Sequence, residues 1–210
     1  MYVPRHFAET RVDVLHDLIR RHPLGTLVVA APAGMEASHV PFEISPEPAP
    51  FGTLRCHVAR ANPIWQLIAP DRQVLVVFQG EQGYVSPSWY VAKQENGKVV
   101  PTWNYAAVHA YGIATAVHDA AWLRRMVEDL TNRHEQARAA PWQVDDAPAD
   151  YVEKLLGAIV GVEIPVTQLI GKWKVSQNRS VADRQGVIAG LESDGAPAQA
   201  DVAALIKTTL

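Results

Sequence analysis

The chain has 210 residues, 48% of them hydrophobic and 20% charged, so it is long enough to bury a substantial core and has the balance of a globular protein. A formal net charge of −3 excludes the global basic field that gathers nucleic acid or anionic membrane, leaving room only for a local basic patch. No apolar run reaches the ~20 residues of a membrane-spanning helix, and MYVPRHFAET at the start lacks the apolar stretch of a secretory signal.

Thr10 with Asp13 resembles a capping box, and Val12, Leu15, Leu18 and Ile19 then fall on one face, which predicts a helix ended by Pro23 and Gly25. Strand-like segments follow: GTLVVAA from Gly25, MEASHVPFEI from Met35, GTLRCHVA from Gly52 and QVLVVFQG from Gln73. Their turns carry Pro32-Ala33-Gly34, Pro46-Glu47-Pro48 and Asp71-Arg72. Within the third strand lies Cys56, the only cysteine. It cannot form an internal disulfide, fits a reducing cytoplasm and has no thiolate-activating motif beside it, so it reads as a small buried filler. Between the third and fourth strands, NPIWQLI predicts a short helix with Asn62 as cap and Pro63 in the first helical position.

The stretch YVSPSWYVAKQENGKVVPTWNY holds Asn96-Gly97, a signal for a type I′ hairpin. With those two residues as the loop, Tyr90 faces Trp103, Trp89 faces Asn104 and Ser88 faces Tyr105. Pro87 and Pro101 cannot donate to a ladder and belong at edges or irregularities. Another strand begins near Val108 and is broken by Gly112. Asp119 opens a helix with Trp122, Met126 and Leu130 on one face, and PWQVDDAPAD is a loop. A short helix and the strand GAIVGVEIPVTQLI follow. Ser180 and Asp183 form a second capping box, opening a helix that stops near Gly195, and the Ala-rich tail is helical. Six or seven short strands with helices at the ends and in the connections predict a mainly β, α+β fold, a β-barrel in one domain over 1–210 with a helical extension from about 180.

Three segments carry chemistry. In CHVARANPIW, a strand bearing His57 leads through Arg60 into a helix capped by Asn62. That is either a phosphate cradle or an ordinary cap beside a solvated arginine. In ASHVPF, Ser38 and His39 sit mid-strand as ligands or as solvent-facing residues. KWKVSQNRS from Lys172 gathers two lysines, a serine and two amides before a helix cap. It either binds carbonyls and hydroxyls of a ligand or satisfies its own backbone. The chain has no Gly-rich phosphate loop, no Gly-x-Ser-x-Gly, no His-Glu-x-x-His and no evident helix-turn-helix. Its eight histidines are scattered, so no metal is expected.

In order, MYVPRHF, ASHVPF, HVARANPIW, YVSPSWY, VPTWNY and KVSQN resemble the PaiB-like family of FMN-binding negative transcriptional regulators, from Met1 to about Arg179. The resemblance implies a split β-barrel, related to the pyridoxamine-phosphate oxidases, that forms a homodimer with FMN at the subunit interface. It places the flavin phosphate at His57, Arg60 and Asn62, with Ser38 and His39 touching phosphate or ribityl hydroxyls. It places the ring against Thr102, Trp103, Asn104 and Tyr105, with Ser86 and Trp89 across the hairpin. Ser176, Gln177 and Asn178 complete the site, from the second subunit in such an arrangement. DNA binding follows from the family label alone. No side chain stands out as acid or base, so an FMN-dependent oxidoreductase using NAD(P)H is the alternative function. Haem is a third, requiring an axial ligand that no spacing singles out.

Overall fold

The computed structural model describes residues 1–32 and 34–210. The Pro32-Ala33-Gly34 turn centres on Ala33, which lies outside the described residues. In chain order the elements are β1 (Ala8–Glu9), α1 (Val12–Arg21), β2 (Leu24–Ala31), β3 (Gly34–Pro41), β4 (Glu43–Ser45), β5 (Thr53–Ala59) and β6 (Val74–Val85). Then come α2 (Ala92–Glu95), β7 (Thr102–Gly112), β8 (Thr115–Val117), α3 (Ala120–Glu135), α4 (Ala149–Gly157), β9 (Ile159–Lys174), α5 (Val181–Ser193) and α6 (Pro197–Lys207). Hydrogen-bonded neighbours run β3-β2-β6-β7-β9-β5-β4, an open path on which β1 and β8 also pair with β9. This mainly antiparallel sheet with helices matches the fold class expected.

The chain forms two compact units, each discontinuous in sequence. One comprises Ile19–Phe78 and His109–Leu169. Its strands alternate as period-two sequences require. β2 buries Leu27 and Val29, β5 buries Leu54, Cys56 and Val58, and β6 buries Val74, Val76 and Phe78. MEASHVPFEI, expected as one strand, divides at Phe42, whose N–H bonds to the Pro23 carbonyl at 2.8 Å and whose buried ring meets Phe78 edge-on at 5.6 Å. The predicted cap of α3 is present, with Asp119 accepting from the Trp122 N–H at 2.7 Å. Trp122 lies over Gly161 of β9, where an added Cβ would stand 2.3 Å from the indole.

The other unit comprises Met1–Leu18, Gln79–Val108 and Ile170–Leu210, and includes both C-terminal helices. Here the expected Asn96-Gly97 hairpin is not formed. Ser86 opens a 3-10 turn over Pro87–Trp89, α2 follows, and β7 starts only at Thr102. Gly97 has φ 67° but Asn96 has φ −145°, whereas a type I′ turn needs both positive. The reason is tertiary. Trp89 packs onto α5, filling the space over Gly190, where an added Cβ would stand 2.3 Å from the indole. Ser180 caps α5 as predicted, accepting from the Asp183 N–H at 3.1 Å. The Asp183 carboxylate instead accepts from the Ala92 N–H at 3.0 Å, which ties α5 to α2.

Candidate functional site

In the second of these units, β7 alternates so that Asn104 is buried (1% exposed) while Trp103 is 49% exposed. Tyr84 of β6 is also exposed and stands edge-on to Trp103, ring centroids 6.3 Å apart. Where β9 ends, Gln177 folds the chain onto itself: its Oε1 accepts from the Val175 N–H at 2.8 Å and its Nε2 donates to the Trp173 carbonyl at 2.6 Å. Ser176 takes a left-handed φ of 66°, a conformation rare for a residue with a Cβ. The turn brings its hydroxyl to Asn104, whose Nδ2 donates to Ser176 Oγ at 3.0 Å.

A cavity of about 130 Å³ opens among these residues, lined by Thr102, Asn104, Ser176 and Asn178, with Lys174, Arg179 and Tyr90 completing its polar wall. Lys174 donates to Thr102 Oγ1 and to the Trp103 carbonyl. Burial lowers its pKa, helped by the like charges of Lys172 and Arg179. The Arg179 guanidinium lies 4.8 Å from the Tyr90 ring centroid. Tyr90 is 2% exposed, and its hydroxyl lies within reach of the Ser176 and Arg179 side chains. Burial raises its pKa, against the pull of nearby Arg179. Lys172, on the same face of β9 as Lys174, donates to the Tyr2 carbonyl at 3.1 Å and stands 5.3 Å from the Tyr105 ring centroid.

The remaining candidates form a second cluster in the other unit. Asn62 caps a 3-10 turn, accepting from the Ile64 N–H at 3.0 Å, and its Nδ2 donates to Ser38 Oγ at 3.0 Å. His39 lies on the opposite face of β3, exposed beside Thr26. His57 Nδ1 is shut off from solvent without a partner, and burial lowers its pKa. Arg60 is committed elsewhere. Its Nε donates to the Gly157 carbonyl and its Nη2 to the Ile159 carbonyl, each at 2.8 Å. A third contact runs from Nη1 to His118 Nδ1 at 3.4 Å.

Thus Thr102, Asn104, Ser176 and Asn178 are brought to one cavity, and Ser38 to Asn62. Ser86 serves as a cap, accepting from the Ser88 N–H at 3.2 Å, and Trp89 lies beneath α5 rather than across a hairpin from β7. Sequence reasoning missed Tyr90, Lys174 and Arg179 as site residues. The KWKVSQNRS segment had signalled a polar cluster, but Tyr90 was assigned to a strand that does not exist.

The fold is that of the split-barrel flavoproteins. Residues 1–168 match a family described as "Putative FMN-binding domain". The chain belongs to this family, and its cofactor is FMN. It is 32% identical over 213 residues to the protease synthase and sporulation protein PAI 2 of Bacillus subtilis, covering 100% of this chain and 98% of that one. It is 37% identical over 242 residues to an uncharacterized protein of Emericella nidulans, covering 99% and 96% of the two chains. Among solved structures, the FAD and heme binding protein of Mycobacterium smegmatis superposes with a TM-score of 0.62 at 16% identity, over 87% of this chain and 80% of that one.

The donor set fits a flavin. Amides and hydroxyls suit its polar edges, and Trp103 and Tyr84 offer exposed aromatic surface. Ligand pockets run to about 300–1,000 Å³, so a cavity of about 130 Å³ takes one group of such a ligand, not the whole.

Proposed function

We propose that the protein is a homodimeric FMN-binding regulator of the PaiB kind, cytoplasmic, in which bound flavin is a sensed ligand and the effect on transcription is indirect. The observation that carries this reading is the convergence of Thr102, Asn104, Ser176 and Asn178 on one cavity. In this reading these residues and Tyr105 meet the flavin, and Gln177 holds the turn that presents them. Ser38 and Asn62 form a separate polar pair for ligand contact, while His39, on the opposite face of β3, and the half-buried His57 would each meet a ligand only on their own sides. The indirect effect follows from a net charge of −3, which supplies no basic field for DNA.

Homodimer formation is supported by one face of the β2–β3–β6 ladder. Leu24, Thr26, Val28 and Ala30 alternate onto it opposite Pro41, His39, Ala37 and Met35, with Leu75 and Val77 beside them. Leu24 is 63% and Met35 68% exposed, an apolar surface suited to burial against a second copy. FMN, when bound, supplies electron and hydride transfer that the protein orients. A second reading is an NAD(P)H-dependent oxidoreductase, in which the bound flavin would carry the hydride chemistry.

The test is direct. The purified protein is expected to show a flavin spectrum, release FMN on denaturation and sediment as a dimer. A colourless protein that binds no added FMN would sink the reading, and a Soret band would replace flavin with haem. Rapid anaerobic bleaching by NADH or NADPH would move the function to the oxidoreductase, and a promoter shift would make the regulation direct.

A further inference from the structure

Helix α3 carries two opposite-charge pairs one turn apart, and they behave differently. Arg124 and Glu128 join at 2.8 Å. Arg125 and Asp129 have the same spacing, yet neither side chain has an ion pair or hydrogen bond among the described residues. Both instead border adjoining cavities that α3 makes with β4 and β5, inside one compact unit. Arg125 lines a cavity of about 200 Å³, and Asp129 lines both this one and its neighbour of about 370 Å³. Arg55 is shared by the two as well. Its Nε donates to Glu163 at 3.0 Å, and its terminal nitrogens have no acceptor among the described residues. In the wall of the larger cavity, Glu43 and Arg133 satisfy each other through both carboxylate oxygens. Ile44 and Met126, each 3% exposed, add apolar surface there, and the Asn132 side chain stands beside them without a hydrogen bond among the described residues.

The groove thus offers guanidinium donors at Arg55 and Arg125, one open carboxylate at Asp129 and an apolar wall. A purely anionic ligand would be set against Asp129, and a purely cationic one against the two arginines. A ligand with both signs close together on an apolar body is complemented on every side. We propose that the groove binds a free α-amino acid with an uncharged, apolar side chain. Its carboxylate lies on Arg55 and Arg125, in the forked geometry that guanidinium groups give carboxylates. Its ammonium donates to Asp129 and to the Asn132 amide oxygen, and its side chain enters the larger cavity against Ile44 and Met126. About 370 Å³ is within the range of small-molecule sites. These residues all belong to the unit that does not hold the cavity after β9, so the site stands apart from the flavin reading.

Calorimetry of the 210-residue chain with L-leucine, L-methionine and L-phenylalanine tests the site. At least one is expected to bind with a Kd of about 1 mM or tighter. The deaminated acid and the methyl ester of that amino acid each lack one charge, and each should bind about tenfold or more weakly. Asp129→Asn and Arg125→Gln alter exposed side chains without partners, so the fold should be unaffected. Each should lower amino-acid affinity about 10- to 100-fold, as loss of a charge-assisted bond predicts. The losses should also be specific. Asp129→Asn should erase the advantage of the amino acid over its deaminated acid, and Arg125→Gln its advantage over the methyl ester. No binding at about 10 mM, affinity that either variant leaves intact, or a deaminated acid that binds as tightly as the amino acid would overturn the proposal.

Discussion

At the level of single residues, Cys56 has no exposure, and burial pushes its thiol well above the ordinary range. It is therefore a core side chain rather than a nucleophile, as a free cysteine without an activating neighbour suggests. The native protein should show no titratable thiol with a disulfide reagent and one after denaturation; rapid native reaction would contradict this. His57 behaves in the opposite direction. Burial lowers its pKa below 6.5, so the unfolded chain binds the proton first as the pH falls. Stability is unaffected above about 6.5 and is lost below it, down to the lowered native value, at no more than about 1.4 kcal/mol per pH unit for one proton. His57→Gln should flatten the dependence of the urea midpoint on pH in that window, and an unchanged slope would show that His57 is not its source. Arg60→Ala should cost about 1 kcal/mol by freeing the Gly157 and Ile159 carbonyls, with the ratio of FMN to riboflavin affinity unchanged. A loss of FMN affinity well beyond that for riboflavin would show that Arg60 holds the phosphate.

Among elements, α5 shows where sequence reading succeeds and where it stops. Its cap was legible because Ser180 and the Asp183 N–H lie three residues apart, as do Asp119 and the Trp122 N–H, while Asn62 reaches the Ile64 N–H two residues on. The strand periodicity of β2, β5 and β6 was legible for a similar reason: buried and exposed positions alternate along the chain itself. The segment from Ser86 to Pro101 was not, because its course depends on Trp89 meeting Gly190, a residue about a hundred positions away. The site divides in the same manner. The polar turn after β9 announced itself, whereas Tyr90 joins the cavity wall only through three-dimensional burial. Gly190 supplies a test. Alanine favours a helix interior by about 1 kcal/mol, but here its methyl would enter the Trp89 indole. Gly190→Ala should lower stability by about 1–3 kcal/mol and change tryptophan fluorescence. A stabilised variant would show that α5 does not rest on Trp89.

For the whole molecule, the open question is assembly. The exposed positions Leu24 and Met35 lie on one face of the β2–β3 ladder and are not needed for the core behind it. Met35→Lys should therefore shift the sedimentation profile toward monomer while leaving the thermal unfolding of the monomer within about 0.5 kcal/mol. A dimer that survives the charge would place the interface on another surface. If monomerisation also releases FMN, the interface completes the flavin site; if FMN stays bound, one subunit suffices.

The sixteen residues of β9 carry one more consequence. Its first part pairs with β5 and with β8, so that Glu163 stands opposite both Arg55 and Thr115, and its last part pairs with β1 at Gly171 and Lys172. A one-residue slip in a strand turns every side chain to the wrong face. Here such a slip would have to be made against four partners at once, β7 included, and it would carry Lys174 out of its cavity and Trp173 out of the core. Register error, a common route from native sheets to aggregates, is thereby closed along the strand that delivers the ligand-binding turn.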